Sequence, residues 1–201
     1  MDRRQRKTRD AIFNAFTELL KKKSYYKITV QEIIDKADVG RSTFYSHFET
    51  KDEIVNSLCF ELFNHIFKSL SDSESKNCFV TKDGQKVSIF CHILRHLKED
   101  ENRILNLLAG ENNEIFLRFF REDMNNFLCD KAFKKNKFAE TEIPEDFLIN
   151  HISVSFSELI KWWVGNKMQP EPEKIDEYFR SIMSGVFEKV KEYKHEHIWI
   201  D

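Results

Sequence analysis

Over most of its length the chain repeats apolar residues every three to four positions, and almost nothing interrupts that rhythm. Only five glycines and three prolines occur in 201 residues. An all-β fold needs turn residues every 8–12 positions, so this scarcity of chain breakers predicts an all-α protein. Apolar residues make up 41% of the chain and the net charge is only -2, which excludes a wholly disordered polymer. No run approaches the roughly 20 apolar residues of a membrane span. The basic start MDRRQRKTRD is followed by no signal-type apolar stretch. Cys59, Cys78, Cys91 and Cys129 form no CxxC pair, so reduced thiols, a cytoplasmic location and no membrane partner are expected.

The near-neutral total conceals an asymmetry. Residues 1–50 carry a balance of +4 and residues 51–201 a balance of -6. A basic head on an acidic body suits a head that meets a polyanion.

Within the head, Thr8 is the expected cap of a first helix whose stripe is Ile12, Phe13, Phe16, Leu19 and Leu20. Thr29 and Glu32 have capping-box spacing and open a second helix with Val30, Ile33, Ile34 and Ala37 inward. Ala37-Asp38-Val39-Gly40 predicts a tight turn, with Gly40 free to take unusual dihedrals. A third short helix runs from Arg41 to Phe48, with Phe44 and Phe48 inward. Its outer face carries Arg41, Ser42, Thr43, Tyr45 and His47 and almost no acid. A major groove asks for that combination of small hydroxyls, a guanidinium and no repelling carboxylate. The three helices make a helix-turn-helix.

The run Ile28-Thr29-Val30-Gln31-Glu32-Ile33-Ile34, then Ala37-Asp38-Val39-Gly40-Arg41-Ser42-Thr43-Phe44-Tyr45-Ser46-His47-Phe48, then Lys51, resembles the TetR family of bacterial regulators. The likeness covers about residues 8–58; beyond residue 60 it is architectural only. It implies a helix-turn-helix DNA-binding domain at residues 1–50 and a larger helical effector-binding and dimerisation domain at 51–201. By the same resemblance, Arg41, Ser42 and Thr43 read base edges, while Tyr45, His47 and Lys51 touch phosphates. The amides opening the second helix at Thr29 suit a further phosphate. The basic tail Arg3, Arg4 and Arg6 is placed to reach a neighbouring groove.

In the body, helices are expected from Lys51 to about residue 70, around residues 87–97, at 104–108 and from Ile115 to about Lys137. Two more follow at residues 145–166 and 173–193, with polar connections at 71–84 and 134–146. The last two carry more apolar surface than one fold covers, which predicts a two-fold homodimer through Phe156, Ile160, Trp163, Phe179, Met183 and Phe187. Phe90, Phe116, Phe120, His151, Phe156 and Trp162 are the candidate lining for a small apolar or aromatic effector. Asn112, Ser155 and Glu158 are further polar handles.

His92 and His96 stand four apart, but no third ligand has the spacing of a metal site, so neither metal nor cofactor is expected. The chain has no GxSxG, HExxH or Gly-rich phosphate loop, and is read as a regulator rather than an enzyme. The predicted function is a repressor on a palindromic double-stranded DNA operator, released by a small molecule. The alternatives are an activator, or control by a protein partner in place of a small ligand. A rival of another class is a helical enzyme carrying an incidental helix-turn-helix.

Overall fold

A computed structural model describes residues 3–71, 88–99, 108, 113–129 and 143–189, with the backbone alone at 62, 65–71 and 187–189. The described residues are helical, with no strand among them. The order is α1 (Arg3–Leu20), a 3-10 turn (Tyr25–Lys27), α2 (Val30–Ala37), α3 (Arg41–Tyr45), α4 (Lys51–Ser71), α5 (Ile89–Glu99), α6 (Asn113–Phe127), α7 (Glu145–Gly165) and α8 (Pro172–Lys189). The connection expected at 71–84, nearly all of the helix expected at 104–108, Asn112 and most of the connection at 134–146 lie outside the described residues.

The chain gathers into two compact units. The first comprises Met1–Cys59 and Asp100–Phe119. In it α1 buries Ile12, Phe13, Phe16 and Leu20 along a single stripe. Phe13 meets Phe48 at 5.5 Å between ring centres, and Phe48 meets Phe44 at 6.2 Å. Removing each of these rings from water stabilises the unit by about 1.5–3 kcal/mol. Two local expectations change. Thr8 does not cap α1: the helix already begins at Arg3, and the Thr8 hydroxyl donates inside it to the Arg4 carbonyl at 3.1 Å. Gly40 is ordinary extended backbone, φ -69° and ψ 149°. The left-handed residue ending α2 is Asp38, at φ 52°; Asp tolerates that region because its short polar side chain bonds locally.

The second unit comprises Phe60–Glu99 and Phe120–Asp201. Its α5 starts at an N-cap: the Ser88 hydroxyl accepts from the Cys91 amide at 3.1 Å and donates to the buried Asp176 carboxylate of α8. Arg180 donates to the other oxygen of Asp176 at 2.9 Å, so the buried charge is paired. At the far end of the same helix pair, Arg95 bonds Glu173 at 2.8 Å and Lys98 bonds Glu171 at 2.5 Å. In the same unit, Phe90 packs against Phe156 at 4.9 Å and Phe179 at 4.8 Å, while Phe156 and Phe179 stand 5.1 Å apart. Edge-on and tilted ring pairs of this kind add to plain area burial.

Candidate nucleic-acid interface

The capping box predicted at the start of α2 is present. Thr29 Oγ1 accepts from the Glu32 amide at 3.3 Å, and Glu32 Oε2 accepts from the Thr29 amide at 2.9 Å. Lys23 also donates to Glu32. Those bonds, the Lys23 bond first, hold the Glu32 carboxyl at about 2, well below its usual range. With Glu32 neutralised by Lys23, the Val30 and Gln31 amides at the start of α2 stay attractive to an anion.

The short α3 sets its side chains out cleanly. Phe44 is buried, while Arg41, Ser42, Thr43 and Tyr45 are exposed. The Arg41 guanidinium lies 5.9 Å from the Tyr45 ring, which orients it along the helix surface. His47, half-buried, sits in the turn after α3 with its ring 6.4 Å from that of Phe48. Arg41, Ser42, Thr43 and Tyr45 therefore share one outer surface, and Thr29 opens the neighbouring helix.

Lys51 is placed differently from the rest. Its ammonium donates to the carbonyls of Tyr25 at 2.9 Å and Ile28 at 3.0 Å, and lies 4.2 Å from the Tyr25 ring. Burial pushes its pKa down; Asp52 opposes that and Lys23 adds to it. Two of its three donors thus fasten α4 to the turn that precedes α2. Beside it the Tyr25 hydroxyl donates to Asp52, and Arg118 donates to the same carboxylate at 3.1 Å. Burial, then the Asp52 bond, holds the Tyr25 phenol protonated far above its ordinary range.

One device in this region was not foreseen. The Glu53 amide donates to Thr50 Oγ1 at 3.2 Å, and the Glu49 amide donates to Glu53 Oε2 at 2.7 Å. The Thr-x-x-Glu spacing at 50–53 repeats that at 29–32, and was the signal that could have found it.

The residues expected in the body separate into inner and outer sets. Phe90, Phe120 and Phe156 are buried in the second unit and Phe116 in the first. His151 is exposed with its ring stacked on Phe147 at 6.3 Å, and Trp162 is exposed. Neither His151 nor Trp162 joins the buried aromatic cluster. Phe156, Ile160, Trp163, Phe179 and Met183, expected at a dimer contact, are all interior to the protomer, Ile160 and Trp163 with 0% exposure. The side chain of Phe187 lies outside the described residues. The apolar groups that α7 and α8 do expose are Phe147, Val154, Trp162, Tyr178 and Ile182, the last at 77%. Helical phase separates the two sets: Trp163 and Trp162 are neighbours about 100° apart around the axis.

His92 and His96 approach to 3.2 Å between their Nε2 atoms, and no cluster of three metal-binding side chains occurs among the described residues. Cys91 is buried, and burial pushes its thiol up to about 12. Asp123 Oδ2, Asn125 Oδ1 and Ser153 Oγ are buried without a hydrogen-bond partner. Burial, reinforced by Glu122, raises the Asp123 carboxyl to about 6.

A capped second helix, a short third helix with a polar outer surface and an all-helical body define a helix-turn-helix regulator. The sequence description "Bacterial regulatory proteins, tetR family" matches residues 12–58, and "Transcriptional regulator C-terminal region" matches residues 87–185. A TetR transcriptional regulator from Streptococcus agalactiae is 35% identical, with a TM-score of 0.62 over 90% of this chain and 96% of that one. The chain belongs to the TetR family and is a transcriptional regulator with a helix-turn-helix DNA-binding region. It is also similar to DhaS of Lactococcus lactis, the dhaKLM operon transcriptional activator, at 25% identity over 72% of each chain. The uncharacterised HTH-type regulator YxbF of Bacillus subtilis is 34% identical over 91 residues; the match spans only 23% of that protein. No described helix is long and apolar enough to cross a membrane.

Proposed function

We propose that this regulator acts as a cytoplasmic homodimer on a palindromic DNA operator, by binding and without catalysis, and that it represses until a small molecule releases it. The observation that carries the DNA reading is the exposed, acid-free surface of Arg41, Ser42, Thr43 and Tyr45 above buried Phe44. Arg41 supplies a fork for a guanine edge, the hydroxyls of Ser42 and Thr43 approach closely, and Tyr45 and His47 serve the backbone. Thr29, through the amides beside it, and the remaining Lys51 donor add phosphate contacts. Two heads held by one body read half-sites about 34 Å apart or somewhat more.

For the pairing itself, exposed Trp162, Tyr178 and Ile182 supply the apolar contact, over the interior layer of Phe156, Trp163 and Phe179. For an effector, the unpartnered Asp123, Asn125 and Ser153 atoms are buried polar groups a ligand would satisfy. Such a ligand acts only by binding the DNA-incompetent arrangement more tightly than the competent one. Similarity to the activator DhaS supports a second reading, in which the bound dimer recruits transcription rather than blocking it.

Selection of genomic fragments by the purified protein tests the first reading. The wild-type chain should enrich an inverted repeat, and Arg41→Ala should strongly reduce the enrichment while leaving the fold intact. Enrichment undiminished in the variant would overturn the assignment of α3. Transcription from the selected promoter, with and without the protein, then separates repression from activation.

A further inference from the structure

His92 and His96 sit one turn apart on α5, and their rings turn toward each other. The Nε2 atoms stand 3.2 Å apart, with ring centres at 4.4 Å and ring planes at 88°. A spacing of four residues puts two histidines on one face of a helix, the arrangement from which helical zinc sites are built. Two nitrogens 3.2 Å apart, each roughly 2.0–2.1 Å from one zinc ion, subtend about 103–106° at the metal. The tetrahedral angle is about 109°, so the pair already stands at the bite of a tetrahedral cation.

The surroundings suit such an ion. His92 is buried, at 1% exposure, which fixes its ring, while the His96 side chain is 21% exposed and admits water from that side. Behind His96, the Glu99 carboxylate lies 3.9 Å from Nδ1. A carboxylate there favours hydrogen on Nδ1, which leaves the Nε2 lone pair aimed at the gap and makes it a better ligand. The neighbouring cations of α5 are neutralised, Arg95 by Glu173 and Lys98 by Glu171.

We propose that His92 and His96 chelate a divalent transition cation, zinc by geometry, with water completing the coordination and Glu99 orienting His96. The site does not depend on the DNA-binding reading. Without metal, one ring donates its Nε2 hydrogen to the other across the 3.2 Å gap. On binding, that hydrogen moves to Nδ1 of the same ring, both Nε2 lone pairs face the ion, and neutral rings release no net proton. Calcium and magnesium do not fit, because they take oxygen ligands. No third metal-binding side chain joins the pair among the described residues, so the site is open and exchangeable rather than a structural zinc centre.

The test uses the full-length protein, stripped by a chelator and then freed of it. Zn2+ is titrated by calorimetry, and Co2+ serves as a coloured reporter of the ligand set. The wild-type chain should bind zinc, melt at a higher temperature in its presence, and give the strong visible cobalt absorption of a four-coordinate site. His96→Gln should weaken zinc binding by about tenfold or more and lose that absorption. Glu99→Gln, at an exposed position, should weaken zinc by about tenfold and keep the cobalt spectrum. The sequence holds another close pair, His195 and His197, and changing both to Gln should alter neither readout. Absence of zinc binding, binding undiminished in His96→Gln, or loss confined to the His195 and His197 variant would each overturn the site. A thiolate-to-cobalt charge-transfer band would place the metal on cysteine and overturn it as well. Should His96→Gln fail to fold, Glu99→Gln carries the test, and zinc affinity unchanged there would contradict the proposal.

Discussion

The outer surface of α3 and the outer surfaces of α7 and α8 are built alike and finished in opposite chemistries. Under α3 lie buried Phe44 and Phe48, and above them stand Arg41, Ser42, Thr43 and Tyr45. Under α7 and α8 lie buried Phe156, Trp163 and Phe179, and above them stand Trp162, Tyr178 and Ile182. Inward residues report only that a helix packs; the outward ones report what it is prepared to meet. A polar, acid-free outer surface asks for an anion, whereas an aromatic one asks to be removed from water.

Adjacent tryptophans give the sharpest test of that contrast. Trp163 is fully buried, with its Nε1–H donating to the Pro170 carbonyl at 2.7 Å. Trp163→Ala should destabilise the protomer by about 3–5 kcal/mol in denaturant titration. Trp162→Ala should leave the circular dichroism spectrum intact and shift sedimentation toward protomers. Equal losses of stability would erase the distinction between inner and outer sets.

On the α3 side, Arg41→Ala removes one good base contact from each half-site and should reduce preference for the selected operator over bulk DNA by about 2–6 kcal/mol in competition binding. Thr29→Ala removes the capping box behind that surface and should lower unfolding stability by about 1 kcal/mol, with a smaller fall in DNA affinity.

Two carboxyls carry the same contrast into pH dependence. Glu32 is held at about 2 in the folded head, so its contribution is present above its ordinary value of 4.5 and fades as pH falls toward 2. Asp123 is raised from 3.8 to about 6 in the body; the folded state binds its proton more tightly, and stability falls as pH rises through that window. Glu32→Gln should therefore destabilise at pH 7 and lose its effect in strong acid. Asp123→Asn should stabilise at pH 8, with the gain vanishing near pH 4. Thermal melts across that range check both signs.

How much of this was legible in sequence follows from the range of the interactions involved. The Thr29–Glu32 box and the inward pair Phe44 and Phe48 are set within a few residues, and their spacing reveals them. Helix ends were harder. Thr8 is a preferred cap residue, yet α1 runs through it to Arg3, because an N-cap preference weighs only about 1 kcal/mol against continuing a helix. Gly40 and Asp38 exchanged roles for a similar reason, both being tolerated in the left-handed region. On α7 the apolar residues nearly encircle the helix, so composition alone could not decide that Trp163 faces inward and Trp162 outward. Lys51 shows the remaining limit: its spacing suits a phosphate contact, while the carbonyls it meets belong to residues more than twenty positions earlier.

Operator binding as proposed requires that two copies of the α3 surface be held at a fixed separation. Affinity for the selected inverted repeat, measured before and after about 5 bp is inserted between its half-sites, tests that requirement directly. Half a helical turn puts the second half-site on the opposite side of the duplex, so binding should fall to the level of random DNA. Affinity unchanged by the insertion would contradict the account.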